Sequence, residues 1–271
     1  MRGYVAIAQA RARVLLQYRA AAVAGFGTQA FWGMIRIMIF EAFYRSAMAD
    51  GAPMRFEEVV SYVWLGQATL MTLPWNLDRE MADEVRTGKV VYGLLRPVDL
   101  YGQWFARAFA LRSAPMVIRA LPMFAFAMVL LPLVGLEAWA LEAPTLEGLA
   151  MWLVALGVAI LLSSALTTLW SVALMWTVSG DGVTHLAPAL VTLMSGMVIP
   201  LPLLPDGVRA VVVWLPFAGL VDLPVRLFSG HLTAAEAAPM LAAQLVWWVL
   251  LVALGRALLG RGVRRLVVQG G

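Results

Sequence analysis

The chain contains no cysteine. Disulfides, thiol catalysis and thiolate metal sites are therefore excluded. Its two histidines, His185 and His231, lie far apart and cannot make a metal centre by themselves, and no H-E-x-x-H pattern occurs. Charge is scarce: 13% of the 271 residues are Asp, Glu, Lys or Arg, against about 25% in soluble domains. The long apolar segments hold no paired carboxylates, so an intramembrane aspartyl protease or a proton-driven antiporter lacks its working groups. A nucleotide site is missing too. The one Gly-Lys dipeptide, Gly88 followed by Lys89, runs into Val90 where a P-loop needs Ser or Thr, and Asp83 stands where its first glycine belongs. No basic block is long or interleaved with aromatics, which argues against a nucleic-acid partner.

What the sequence has is apolar length. Hydrophobic residues make up 62% of it, with a mean hydropathy of +0.83; soluble domains are about 45–50% apolar. At about 20 apolar residues per crossing, the length admits about six spans and no soluble catalytic domain. The expected fold is an all-α integral membrane protein, one domain over residues 1–271. Its six transmembrane helices are expected at 20–44, 59–77, 108–133, 149–177, 183–199 and 237–259. Before them, residues 1–19 place Tyr4, Ile7, Ala8 and Leu15 on one helical face and Gln9, Arg13 and Gln17 on another. That pattern suits an interfacial amphipathic helix or a plain extension of the first span.

The net charge of +4 comes almost wholly from arginine. With both termini inside, the inner segments hold 15 of the basic residues, the outer segments 4, and Arg36 lies within a span. The positive-inside rule favours that orientation.

Residues 78–107 are the most charged stretch, with Asp78, Arg79, Glu80, Asp83, Glu84, Arg86, Lys89, Arg96 and Asp99 in close succession. Unpaired charge is costly in hydrocarbon, so this is an aqueous loop. A short surface helix is expected over 77–87, closed by Gly88 in a left-handed cap, with Glu80, Asp83, Glu84 and Thr87 sharing an acidic face. Pro97 should break the chain before a second amphipathic piece at 100–107.

Within the spans, Arg36 reads as a functional cation or as one that snorkels or pairs with a neighbouring helix. Arg112 and Arg119 read as snorkelling toward anionic lipid more readily than as substrate contacts. Ser164, Thr167, Thr168 and Ser171 recur at i, i+3, i+4 and i+7, as a helix–helix contact or a pathway lining would. His185 reads as hydrogen-bonded structure. A tight turn is expected at 179–182. Residues 200–236 are punctuated by Pro200, Pro202, Pro205, Pro216 and Pro224, leaving runs too short to cross the membrane; two short helices dipping into the outer leaflet fit them. An arginine-bearing tail ends the chain.

Two motifs carry a resemblance. EVRTGKVVYGLLRPVDLYG, a charged turn and glycine followed by Leu-Leu-x-Pro-Val, and the proline-punctuated stretch SGMVIPLPLLPDGVRAVVVWLPFAGLVDLPVRLFSG together resemble ATP-binding cassette export permeases of the ABC type-2 superfamily. The resemblance is to the six-helix branch often encoded as paired permeases beside one ATPase gene. It implies that the loop carries the coupling helix, with Asp78, Arg79, Glu80, Asp83, Glu84, Arg86, Thr87 and Gly88 at the ATPase contact. It implies re-entrant outer helices before the last span. The chain would be no enzyme itself: two ABC ATPase subunits would bring ATP and Mg. A second permease subunit, identical or a sibling, would complete a dimer in the bacterial cytoplasmic (inner) membrane. The substrate expected for such an exporter is amphipathic or hydrophobic, because the spans offer hydroxyls and aromatics in place of charge. The alternative is an ATP-independent secondary transporter or a membrane scaffold.

Overall fold

The computed structural model describes residues 2–17, 19–46, 51–177 and 181–264. Among them there are helices and turns and no strand. Helix α1 covers Arg2–Leu16 and α2 covers Arg19–Tyr44; α3 is Phe56–Ala68 and α4 is Arg79–Arg86. Helix α5 is Val90–Leu94, α6 is Leu100–Ala125, α7 is Leu146–Ala173 and α8 is Asp181–Met194. Two short helices, α9 at Asp206–Val212 and α10 at Asp222–Phe228, precede α11 at Ala234–Val263.

Side-chain caps start the long helices where the sequence supplies them. Asp99 accepts a hydrogen bond from the Gly102 amide at 2.8 Å at the head of α6. Thr145 accepts from Gly148 at 3.0 Å at the head of α7. At α11, Thr233 and Glu236 close a reciprocal box: the Thr233 amide donates to Glu236 Oε2 at 2.9 Å and the Glu236 amide to Thr233 Oγ1 at 3.3 Å. Each satisfies amides that the first helical turn leaves without partners. Helix α6 tolerates Pro115 and Pro122 in its interior, then runs on through a π-turn at Phe126–Leu130 and a last turn at Leu131–Leu133.

Helix α7 is the central post. It packs against α11, α6 and α10, and Ala155, Ala159, Leu162, Ala165 and Val172 on it are buried. The alanines and serines along it let neighbours approach closely. Phe124, Trp152 and Phe228 bring α6, α7 and α10 together, with ring centroids 5.6–6.3 Å apart. Helix α1 lies along α6.

Four helices among the described residues are long and apolar enough to cross a membrane: Val23–Tyr44, Leu100–Leu133, Leu146–Trp176 and Ala234–Val263. The other two segments expected to span are shorter. In place of 59–77 there is α3, 13 residues long, or about 20 Å at 1.5 Å per residue. It gives way to a 3₁₀ turn at Leu70–Thr72 and then to Pro74. All of Val59–Ala68 is buried, so α3 is sheathed by protein on every side. In place of 183–199 there is α8, 14 residues long. The chain breaks around Pro97 as expected, and the piece expected at 100–107 is the first part of one continuous helix that Asp99 caps and that runs on into the third span. Helices α9 and α10, seven residues each, fall between the prolines. Of the turn expected at 179–182, residues 179 and 180 lie outside the described residues and Asp181 and Gly182 begin α8; the tail beyond residue 264 lies wholly outside them.

Candidate functional site

The charged loop begins at Asp78, past the turn at Leu70–Thr72 and Pro74 that follow α3. Asp78 caps α4, its carboxylate accepting from the Glu80 amide at 2.9 Å. Met81 and Ala82 are the buried side of α4. Ala82 sits with Leu77 and Leu174, packed against Val85 and Trp170. The short helix is therefore pressed against the foot of α7. After it, Gly88 takes φ +71° with no neighbour within 4 Å of where a Cβ would stand, so the residue is glycine for its backbone and not for space.

Two arginines from elsewhere in the chain hold α4 down. Arg107, on α6, donates to Glu84 at 2.8 Å and to Glu80 at 2.9 Å, and lies 3.9 Å from Asp78. Arg11, on α1, donates to both oxygens of Asp78 at 3.1 and 3.2 Å and also to Glu80. Asp78 is fully enclosed and the Arg107 side chain is 8% exposed. Burial alone would lower the Arg11 pKa, but Asp78 and Glu80 outweigh it and hold the guanidinium above its ordinary value. Two further contacts tie in other elements. The Tyr4 hydroxyl accepts from the Asp99 amide at 3.2 Å, with its ring against Gly102. Arg256 of α11 lies 5.4 Å above the Tyr101 ring and 3.4 Å from Asp99. One end of the bundle thus joins α1, α4, α6 and α11.

The acidic face expected at Glu80, Asp83, Glu84 and Thr87 is drawn inward at Glu84, whose side chain is 29% exposed, while Glu80 pairs with Arg107 and keeps 61% of its side chain exposed. Glu80 and Glu84 turn toward Arg107, and Asp78 is buried. What α4 and its cap present outward is Arg79, Glu80, Asp83, Arg86, Thr87, Gly88 and Lys89. Beyond the glycine, Tyr92 and Leu95 stand out at 68% and 77% exposure.

One turn above the network, Arg112 is buried, where a snorkelling residue would reach out. Its Nε donates to Thr167 Oγ1 at 2.9 Å, one Nη to the Leu73 carbonyl at 2.9 Å and to Asn76 Oδ1 at 3.3 Å, and the other Nη to the Asn76 carbonyl. Those carbonyls have no helical partner because the chain leaves its helix ahead of Pro74. Arg112 supplies the missing donors and ties the broken end of α3 to α7.

The family model described as ABC-2 family transporter protein matches residues 34–270. The chain belongs to that family. A search of curated proteins finds no match. The ABC-2 family comprises membrane transport subunits, which accords with the missing P-loop, and the spanning helices make this member a multi-pass membrane protein.

In this ABC-2 chain the hydroxyl stripe is interior. Ser164, Thr167, Thr168 and Ser171 are all fully buried. Each hydroxyl donates to the carbonyl four residues back, at 2.6–2.9 Å. Within one chain they serve packing of α7, and Thr167 doubles as the acceptor for Arg112. Arg36 on α2 is half-buried and donates to the Val198 carbonyl at 3.1 Å. Arg119 crosses α2 at Gly25, where its guanidinium fills the space of a Cβ. His185 is exposed.

A latch at the opposite end of the bundle was not singled out in the sequence. Tyr62 of α3, fully buried, donates to Asp222 Oδ1 at 2.9 Å, and Arg226 donates to Asp222 Oδ2 at 3.3 Å. Asp222 is 1% exposed. The signal in the sequence was Asp222 itself, an acid inside the apolar run FAGLVDLPV, since a buried carboxylate needs a partner.

Proposed function

We propose that this chain is the membrane-spanning subunit of an ATP-driven exporter in the bacterial cytoplasmic membrane. Helix α4 is its coupling element. The observation that carries this is the clamp of Arg11 and Arg107 on α4. A partner can drive a bundle only through an element that moves with it, and α4 and its cap are joined by partly buried ion pairs to α1 and α6. Its outer face, Arg79, Asp83, Arg86 and Lys89, is left free for contact. The chain has no nucleotide site, so two ABC ATPase subunits carrying ATP and Mg supply the work. A clamping motion beneath α4 then tilts α6 against α7, a rigid-body shift between packed elements.

In this reading both termini are cytoplasmic and six passes are completed by α3 and α8. The broken C-terminal end of α3, at Thr69, Thr72 and Leu73, is covered by neighbours, as irregular backbone at membrane depth must be. Helices α9 and α10 lie in the outer leaflet, latched through Asp222. A second permease, identical or a sibling, completes the path, and membrane lipid surrounds it. Co-expression with the ATPase encoded nearest to it should yield a complex whose ATP hydrolysis rises when substrate is added. A permease that purifies without any ATPase and still exports would favour a secondary transporter.

A further inference from the structure

A groove of about 760 Å³ opens beside α2, walled by that helix, the end of α3, α8 and the stretch after it. Its size is within the roughly 300–1,000 Å³ of small-molecule sites. Most of its wall is apolar, with Trp32, Phe40 and Phe43 among the lining residues. Three polar side chains of α2 line it: Thr28, which donates to the Ala24 carbonyl of its own helix, Gln29 and Arg36. Arg36 has one hydrogen bond, to the Val198 carbonyl, and no carboxylate within ion-pair distance among the described residues. Gln29, two turns away on the same stripe, is 3% exposed, and neither its amide oxygen nor its nitrogen has a partner. A buried amide without a partner is costly, and a cation facing hydrocarbon without an anion is costly as well. The groove therefore has the shape for a hydrocarbon chain, with a cation and an unsatisfied amide set about 10 Å apart along the helix.

We propose that this groove binds an anionic amphiphile, with its headgroup on Arg36 and its chain along the apolar wall, Gln29 offering a second polar contact about 10 Å along the helix. As a substrate site it rests on the exporter reading, but its occupancy can be read on the permease alone. The shared chemistry is a phosphate or similar anion on an alkyl chain. The source is either the bilayer's own lipid or a single-chain cargo.

The test is native mass spectrometry of the full chain in neutral detergent, titrated with phosphatidylglycerol, dodecyl phosphate or phosphatidylcholine. The wild type should hold one anionic amphiphile at least tenfold more tightly than phosphatidylcholine. Arg36→Gln should erase that preference, and Arg36→Lys should keep most of it. Ile39→Trp, a change at a 63% exposed position on the groove wall, should weaken anionic binding about tenfold even if Arg36→Gln fails to fold. Arg209→Gln, at an arginine outside the groove that pairs with Asp206, should change nothing. Tighter binding of phosphatidylglycerol than of dodecyl phosphate identifies a resident lipid, and the reverse identifies a cargo; either supports the site. No preference in the wild type, or a preference that survives both Arg36→Gln and Ile39→Trp, overturns it. So does efficient cross-linking of a cysteine at Ile39 to the same position in a second copy, which would make the groove a chain–chain interface. Loss of ATPase stimulation with binding intact sinks only the exporter reading, and loss of binding with stimulation intact sinks only the groove.

Discussion

Arg107 and Glu84 stand 23 residues apart in sequence and 2.8 Å apart in space, and this pair turns the charged loop inward. Exchanging Glu80 and Glu84 together for lysine therefore strikes the clamp before it touches any partner. The double variant sets two new cations against Arg107 and Arg11. It should lower the melting temperature in detergent and expose α1 to protease. Arg107→Gln, which only removes the partner, should cost about 1–3 kcal/mol through the two carboxylates it leaves behind.

Arg112→Leu should be among the most damaging single changes in the chain. It abandons the Leu73 and Asn76 carbonyls and the Thr167 hydroxyl in a buried place, at about 1–3 kcal/mol per acceptor left unpaired. Arg112→Lys should rescue little, because a single ammonium cannot span the three directions that the guanidinium fork covers. Thermal unfolding of the purified variants measures both.

Tyr62→Phe keeps the ring and removes the donor to the Asp222 carboxylate. A loss of about 1.5–3 kcal/mol is expected for a hydrogen bond to a charged group. The stretch around α10 should then exchange its amides faster than the rest of the protein in hydrogen-exchange measurements, while α1 and α4 remain as protected as before.

Gly88→Val should be tolerated sterically and penalised conformationally. Open space surrounds the position, but φ is +71°, which costs an L-residue about 1–2 kcal/mol. Gly88→Asn should cost less, since asparagine visits the left-handed region more readily. Comparing the two by melting temperature and by export separates backbone strain from a lost partner contact.

Much of the architecture was legible because the signals are local. Long apolar runs, the proline spacing of 200–236 and the charged stretch after residue 77 each announce themselves within a few residues. The facing of the charges was not legible. Glu80 and Glu84 sit at helical spacing with Asp83, but their partners lie on α6 and α1, and which way a short helix rolls is decided by where Ala82 and Leu77 pack. Arg112 looked like a snorkelling residue because its neighbours in sequence are apolar. Its true partners are carbonyls released by the early end of α3, an event that the run of apolar residues to 77 concealed. The Tyr62–Asp222 pair, 160 residues apart, needed the folded chain. The hydroxyl stripe of α7 was visible as a pattern, whereas its complete burial depends on how many helices surround α7.

The central claim is that the outer face of α4 is where an ATPase subunit presses, and the absence of native cysteine makes a direct measurement possible. Single cysteines at Arg79, Asp83 and Arg86, each carrying a benzophenone maleimide, should on illumination of membranes cross-link to a co-expressed ABC ATPase, with a yield that changes when ATP is added. A probe at Leu133, at the far end of α6 and 77% exposed, should give no such adduct. ATPase adducts absent from all three α4 positions, in membranes that still export, would contradict the account.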